Sequence, residues 1–410
     1  MKVCIIGGGL TGLTAAHALS GDAEIDLFEK QAVTGGCLSS YTFGTFSIEK
    51  YYHHCFSNDT AFFSLLNDLG LSGRLSWRSA STGYVAGDRI YPLTTPLEIL
   101  KYPFLSLADK ARLAYLVLRV RSINTAELDT VTAEDYVKRT LGDGVYTSFF
   151  VPLLNAKFGE NRHDVSAAWL ISRIAIRSDR GTAGERLGYL DGGFCQLIDA
   201  LEGSIRKKGG RIRTKTQVTT LRRNDTAWEV NGETYDTVIS TIPPQELERI
   251  GGPATGPIRY QGAACATIGL SRDIAGGIYW LNMKDPAPYG AVVAHTNFIP
   301  REQYGCHIVY LASYFTGSLP QNADRQMIGD FCRRFSVRPD EILWSRMAVD
   351  PFAGPVYTVG YRSKIPAYQH GGLFMAGMFS LPNYPERSME GAVRAGHEAA
   401  ALVRRNVLHG

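Results

Sequence analysis

Residues 2–12 read KVCIIGGGLTG, and the fold turns on them. Lys2 to Ile6 is a short apolar run of strand character, followed at once by Gly7-Gly8-Gly9-Leu10-Thr11-Gly12. In the spacing GxGxxG each glycine has a mechanical task. Gly7 permits the tight turn out of the strand, Gly9 lets the backbone approach a pyrophosphate, and Gly12 lets a helix lie close to the strand. Leu10 to Ser20 has helical character, and IDLFE (25–29) reads as the next strand. This is one βαβ unit, and its helix start at Leu10 and Thr11 presents unpaired N–H groups to an anion.

Working outward, Glu29 stands 22 residues after Gly7, at the end of the second strand and just before Lys30. A carboxylate there accepts hydrogen bonds from a ribose 2′-OH and repels a 2′-phosphate. The site is therefore expected to prefer FAD or NAD to NADP. A glycine pair follows, Gly35-Gly36, with Cys37 and Leu38 after it. At the far end of the chain, GGLFMAGM (371–378) reads as a strand reaching Gly377 and Met378, and SMEGAVRAGHEAAALVRR (388–405) as a helix. A helix starting near Met389 aims its positive end at whatever lies beyond it. The N–H groups of Gly391 and Ala392 are expected there, placed to stabilise negative charge on a bound cofactor.

Bulk properties set bounds. The chain has 410 residues, too many for one ordinary core, so two or three domains are expected. Hydrophobic residues make up 45% and charged residues 20%, which is ordinary globular composition. Net charge is +4, and basic residues do not cluster in runs of five or more, so no nucleic-acid partner is expected. The 7 cysteines contain no CxxC, which fits a reduced, cytoplasmic setting rather than a disulfide framework or zinc ribbon. No signal peptide is visible, since the first strand begins at Lys2. No run of 18 or more apolar residues occurs, so no transmembrane segment is expected. Tyr102 to Val120 has the pattern of an amphipathic segment able to lie on a bilayer surface, a peripheral membrane contact, but the favoured reading is a core helix of a substrate domain. The sequence sets no oligomeric state.

Between the ends, Asn58 to Val137 reads as helical with breaks. Phe194, Leu197, Ile198, Leu201 and Ile205 share a helical face, closed by Lys207, Lys208 and Gly209. Short strands follow to about residue 242 and again from Gly262 to Tyr314, and Asp324 to Phe335 reads as a helix.

These motifs together resemble the flavin-dependent amine oxidase superfamily, which includes monoamine oxidases, protoporphyrinogen oxidases and phytoene desaturases. The resemblance rests on GxGxxG with Glu29, the glycine pair at 35–36, LDGGFCQLIDAL (190–201), QVTTL (217–221) and above all MEGAVRAG (389–396). It implies bound FAD, with Val218 on the strand whose backbone reads the adenine, and it implies hydride transfer from an organic substrate. The chain departs from the pattern at two places. Cys37 stands where the family usually has the arginine that reaches the pyrophosphate, and Met378 where it often has the aspartate that bonds the ribityl chain.

YYHHCFSND (51–59) resembles a segment of UDP-galactopyranose mutases, whose histidine-containing loop lies against the flavin and whose chemistry is redox-neutral. His54 is on that basis a candidate for orienting the flavin or moving a proton, against a reading as a structural histidine. In NAKFGENRHDVSAAW (155–169), Lys157 is a candidate base or water-holding group near the flavin, against a reading as an interface lysine bonded to a carboxylate. Arg173, Arg177 and Arg180 are spaced to bind an anionic substrate, although a solvated face is the default for such spacing. Tyr279, Trp280, Tyr310, Tyr314 and Phe315 are candidates for lining an apolar pocket. His53-His54 makes a poor metal pair, and no metal site is expected. GxSxG, HExxH and GxxxxGK[ST] are absent.

The expected fold is α/β: a discontinuous Rossmann-like FAD-binding domain (1–57, 190–255 and 356–410) with an inserted mixed-sheet and helical substrate domain (58–189 and 256–355). The expected activity is an FAD-dependent oxidoreductase acting on a small-molecule substrate. The alternatives are a redox-neutral mutase and a flavin-binding protein without turnover.

Overall fold

The computed structural model describes residues 1–177, 180–181 and 184–408. Its first layer is a six-stranded sheet in the order Arg211–Arg213, Glu24–Phe28, Lys2–Ile6, Thr237–Ser240, Leu373–Met375 and Gln369–His370. All neighbours are parallel except the last pair. Val3, Cys4 and Ile5 are fully buried, as expected of a central strand covered on both faces. The sheet thus draws strands from three distant stretches of chain.

Helix Leu10–Leu19 crosses from the first strand to the second, and Ser20 closes it. The terminal helix, Met389–Val403, lies directly against it. A Cβ on Gly396 would stand 2.6 Å from the Thr11 carbonyl oxygen, so only glycine permits this approach. The glycine near the end of MEGAVRAG therefore serves the contact between the first and last helices. Helix Cys195–Lys207 buries Leu197, Ile198, Leu201 and Ile205, the face read from the sequence.

A second sheet of seven strands runs Ile342–Pro355, Tyr260–Leu270, His307–Phe315, Ala291–Ala294, Trp280–Met283, Thr82–Ala86 and Arg89–Pro92. The last two strands, with Leu75–Ala80 before them, correct the helical reading of 58–137. LSWRSA and TGYVA show no clear alternation, and each takes a partner far away in sequence; the local signal was Gly87-Asp88, the tight turn that pairs Thr82–Ala86 with Arg89–Pro92. Leu75–Ala80 pairs with Gly184–Leu190, and Thr82–Ala86 with Trp280–Met283. Helices Pro96–Lys101, Leu107–Arg119 and Ala133–Leu141 follow, where helices were expected.

Helix Leu107–Arg119 departs from the favoured reading as a core helix. It begins with a capping box, Ser106 and Asp109 bonding reciprocally, and buries only Leu113 and Leu116. Among the described residues, no helix is long and apolar enough to cross a membrane.

Candidate functional site: a cavity between the two sheets

A cavity of about 1670 Å³ lies between the two sheets. Small-molecule sites usually span about 300–1,000 Å³, so this one has room for a large cofactor together with a substrate.

One wall comes from the loops and helix starts of the parallel sheet. Gly7, Gly9, Leu10, Thr11, Glu29 and Lys30 line it. Gly7 has φ +106°, and a Cβ there would stand 2.5 Å from Thr241 Oγ1, so both conformation and space demand glycine. Gly9 faces open space, with nothing within 4 Å of a built Cβ. Gly12 does not line the cavity. Its Cβ would overlap the Gly7 carbonyl oxygen, so its absence allows the helix to press on the strand turn. The helix cap, Gly9, offers no side-chain bond to the first amides, which leaves the N–H groups at Leu10 and Thr11 for a ligand.

Glu29 is 8% exposed. It accepts hydrogen bonds from the Gly8 N–H at 2.8 Å and the Gln31 N–H at 2.7 Å. These two bonds fix the carboxylate while leaving further lone pairs to accept from a hydroxyl. Gly35, Gly36, Cys37 and Leu38 continue the wall. The Gly35 N–H donates to the Gly8 carbonyl at 2.7 Å, so the glycine pair is clamped onto the first loop. Burial pushes the Cys37 thiol up to about 12, aided by the charge of Asp350, so it remains protonated. Val218 lines the wall from the middle of the chain, and Gly377, Met378, Met389 and Ala392 from its end.

The terminal helix requires one correction. Ser388 caps it, its Oγ accepting from the Gly391 N–H at 3.0 Å, while the Ala392 N–H donates to the Ser388 carbonyl at 3.1 Å. Both amides expected to face a flavin are therefore occupied, because the first turn closes on its own cap. The first amides of the helix, at Met389 and Glu390, precede the turn that closes on this cap. Gly391 is glycine for room: a Cβ there would overlap the Asn383 side chain.

The facing wall comes from the seven-stranded sheet and the helices. Small residues such as Ala263, Ala291 and Ala312 keep it open, and Trp280 and Tyr314 line it. Tyr279 and Tyr310 are buried in the core beneath, and Phe315 packs against Gly262.

Four charged side chains meet in this part of the cavity. Lys157 Nζ lies 3.2 Å from Glu386 Oε1, and Arg173 lies 3.3 Å from the same oxygen. Arg387 adds a third cation, its guanidinium over the Tyr314 ring with 5.9 Å to the centroid. Gly354 makes room for it: a Cβ there would stand 2.6 Å from that guanidinium. Arg387 has a buried nitrogen, and Glu386 a buried oxygen, without a hydrogen-bond partner. Asp350, the other nearby carboxylate, is engaged by the Cys37 thiol at 3.7 Å and by the Phe352 N–H at 2.8 Å.

Burial pulls the Lys157 ammonium well below the usual lysine range, with Arg173 and Arg387 adding to the shift and Glu386 opposing it. Burial pushes the Glu386 carboxyl up, but Lys157, Arg173 and Arg387 outweigh it and hold it below its ordinary value. The result is an ionised carboxylate beside a lysine that gives up its proton easily, with two guanidiniums that stay charged.

His54 lines the same cavity, its Nδ1 3.3 Å from Tyr279 Oη and its ring edge-on to Phe56. Burial, then Arg177, His53 and Arg173, depress it well below the normal histidine value, so it is neutral. His53 is lowered to about 4, chiefly by burial. Arg177 is 3.6 Å from Glu185 and stacks over Trp280. The side chain of Arg180 lies outside the described residues. Among the described residues, no group of three His, Cys, Asp or Glu side chains is placed to hold a metal.

Sequence reasoning missed Glu386 and Arg387. Their signal was present: Pro385-Glu386-Arg387 immediately precedes the helix already singled out.

Residues 10–267 match the profile of the family described as flavin containing amine oxidoreductase. The chain belongs to that family. That family is flavin-containing, and the first wall fits such a cofactor: open backbone at Gly9, free amides at a helix start and an anchored carboxylate. A coproporphyrinogen III oxidase of Mycobacterium tuberculosis is 28% identical over 281 residues. That match covers 60% of this chain and 60% of the relative's length. Among solved structures, a protein assigned as a protoporphyrinogen oxidase from Exiguobacterium sp. 255-15 superposes with a TM-score of 0.78. Its identity is 20%, and 98% of each chain is covered. Reduced UDP-galactopyranose mutase superposes with a TM-score of 0.75 at 18% identity, over 98% of this chain and 95% of the mutase. Likeness at such identities establishes the fold alone.

Proposed function

We propose that this enzyme takes a hydride from a C–H or C–N centre of an organic substrate that carries carboxylates, a porphyrinogen being the class the sequence relatives suggest. When bound, FAD supplies the two-electron acceptor. We assign residues 1–57, 190–255 and 356–410 to the half that holds it, and the remainder to the half that shapes the substrate.

The observation that carries this reading is the cluster of Lys157, Arg173 and Arg387 around the single carboxylate of Glu386, buried in the cavity with an unsatisfied Arg387 nitrogen. A buried guanidinium nitrogen left without a partner calls for an anion, and guanidiniums suit carboxylates by geometry. Arg173 and Arg387 bind and orient the anionic group. Glu386 holds Lys157 and Arg173 in place. Lys157, its ammonium destabilised by burial, gives up its proton and as the neutral amine accepts one from the substrate as that is oxidised. His54 enters as a neutral ring held by Tyr279 and orients whatever lies against it. Trp280 and Tyr314 cover the apolar part of the substrate and exclude water.

Anaerobic mixing tests the proposal. Coproporphyrinogen III should bleach the flavin absorbance, whereas neutral or cationic amines should not. If no carboxylated substrate bleaches the flavin, and a nucleotide sugar is instead isomerised only after chemical reduction of the cofactor, the redox-neutral reading replaces this one. A flavin that no substrate reduces and no sugar engages would leave neither standing.

A further inference from the structure

Seven of the eleven exposed large hydrophobic side chains among the described residues fall between Leu97 and Leu118. Six sit on two neighbouring helices, Pro96–Lys101 and Leu107–Arg119, and the seventh, Phe104, in the turn between them. The second helix has two apolar faces. Leu113 and Leu116 point into the core. Leu107, Ala111, Ala114 and Leu118, at helical spacing i, i+4, i+7 and i+11, form a stripe on the opposite side. The stripe is open to solvent: Leu118 is 84% exposed and Leu107 73%. A monomer rarely leaves so much contiguous apolar surface uncovered without a use for it.

Two further observations identify what covers it. The stripe is continuous with the cavity, whose wall includes Leu100, Leu107, Val117 and Leu118. The apolar patch is thus the rim of the opening through which the cavity reaches the surface. The flanking charge is also one-sided. Lys101, Lys110, Arg112, Arg119 and Arg121 stand against Glu98 and Asp109 in this segment. Both acids are engaged in capping boxes at the helix starts. Leucines projecting from a basic helical pair are what an anionic bilayer surface accommodates: apolar side chains enter the acyl boundary while lysine and arginine meet the headgroups.

We propose that this face docks on a lipid surface carrying anionic headgroups, with the cavity mouth turned to the bilayer. The enzyme then exchanges an amphipathic substrate or product, apolar in body and charged at its carboxylates, with the membrane surface rather than with bulk water. Docking needs no turnover, so its test is independent of which substrate is oxidised.

The FAD-loaded protein is floated with vesicles of phosphatidylcholine alone and of phosphatidylcholine with phosphatidylglycerol. Most of it should float with the anionic vesicles and little with the neutral ones, and raising the salt should release it. The double variant Leu107→Gln/Leu118→Gln changes only exposed positions. It should keep its flavin and thermal midpoint while its partition falls at least tenfold. Arg112→Glu/Arg119→Glu should abolish the preference for anionic lipid. Wild-type protein that stays in solution with both vesicle types overturns the proposal, as does a double variant that floats equally well. A dimer in solution that the double variant converts to monomer overturns it as well, by assigning the patch to a second copy of the chain.

Discussion

The two walls of the cavity are built on different principles. The cofactor wall is mostly backbone: glycines placed for turns and close approach, helix starts, and one carboxylate anchored by two amides. The substrate wall is mostly side chains, with Lys157 from one helix, Arg173 from the next, and Glu386 and Arg387 from the loop before the terminal helix. A backbone site tolerates almost no change at its glycines but asks little of its neighbours. A side-chain site tolerates substitution structurally, yet its chemistry depends on charges that balance only when all are present.

The largest expected effect falls on the cofactor wall. Gly12→Val puts a branched side chain into the Gly7 carbonyl, where no flexible group can yield. It should cost about 3 kcal/mol, at the upper end for overpacking, and empty the protein of flavin. A urea midpoint and the visible spectrum of the purified variant check both points.

Lys157→Met comes next and tests the opposite wall. FAD content should stay at the wild-type level while kcat for the carboxylated substrate falls about 100-fold, the range for losing a proton-transfer group. Loss of flavin instead would mean that the two walls are not separable.

A smaller effect is expected at Glu29. Glu29→Gln keeps the shape but removes the charge from the acceptor of the Gly8 and Gln31 amides. FAD affinity should weaken about tenfold, roughly 1.4 kcal/mol, by titration of the apoprotein.

The smallest effect appears on mild acidification. His295 is buried beside Tyr304, its Nε2 2.8 Å from the tyrosine oxygen, and burial lowers it to about 3. Its unfolded value is near 6.5. Between those values the unfolded chain binds the extra proton, so stability is highest above pH 6.5 and declines as pH falls toward 3. From pH 6.5 to 5.5 the part of the loss due to His295 should be about 1 kcal/mol, beside losses of the same sign from His53 and His54, and His295→Gln should remove only its own share in denaturant titrations at the two pH values.

How much of this was legible follows the same division. Gly7, Gly9, Gly12, Glu29 and the glycine pair were readable because their roles depend on residues close in sequence, fixed by one turn and one helix start. The terminal helix was readable for the same reason, although its Gly391 and Ala392 amides turned out to be spent on the Ser388 cap. The strands at 75–80 and 82–86 were not, since their partners at 184–190 and 280–283 exert no local signature, although the Gly87-Asp88 turn into Arg89–Pro92 was a hairpin signal that the helical reading passed over. Lys157 was noticed, but not the carboxylate that holds it, which lies 229 residues away. For Leu107–Arg119 the helix was legible, but not which of its two apolar faces would be covered.

The sequence by itself determined the strand, glycine turn and helix start at 2–19, because backbone conformation is dictated by nearest neighbours and by glycine's missing Cβ. Only the tertiary structure decided the charge cluster and the open apolar rim. Electrostatic balance and burial depend on what other parts of the chain bring alongside, and no short stretch of residues contains that information.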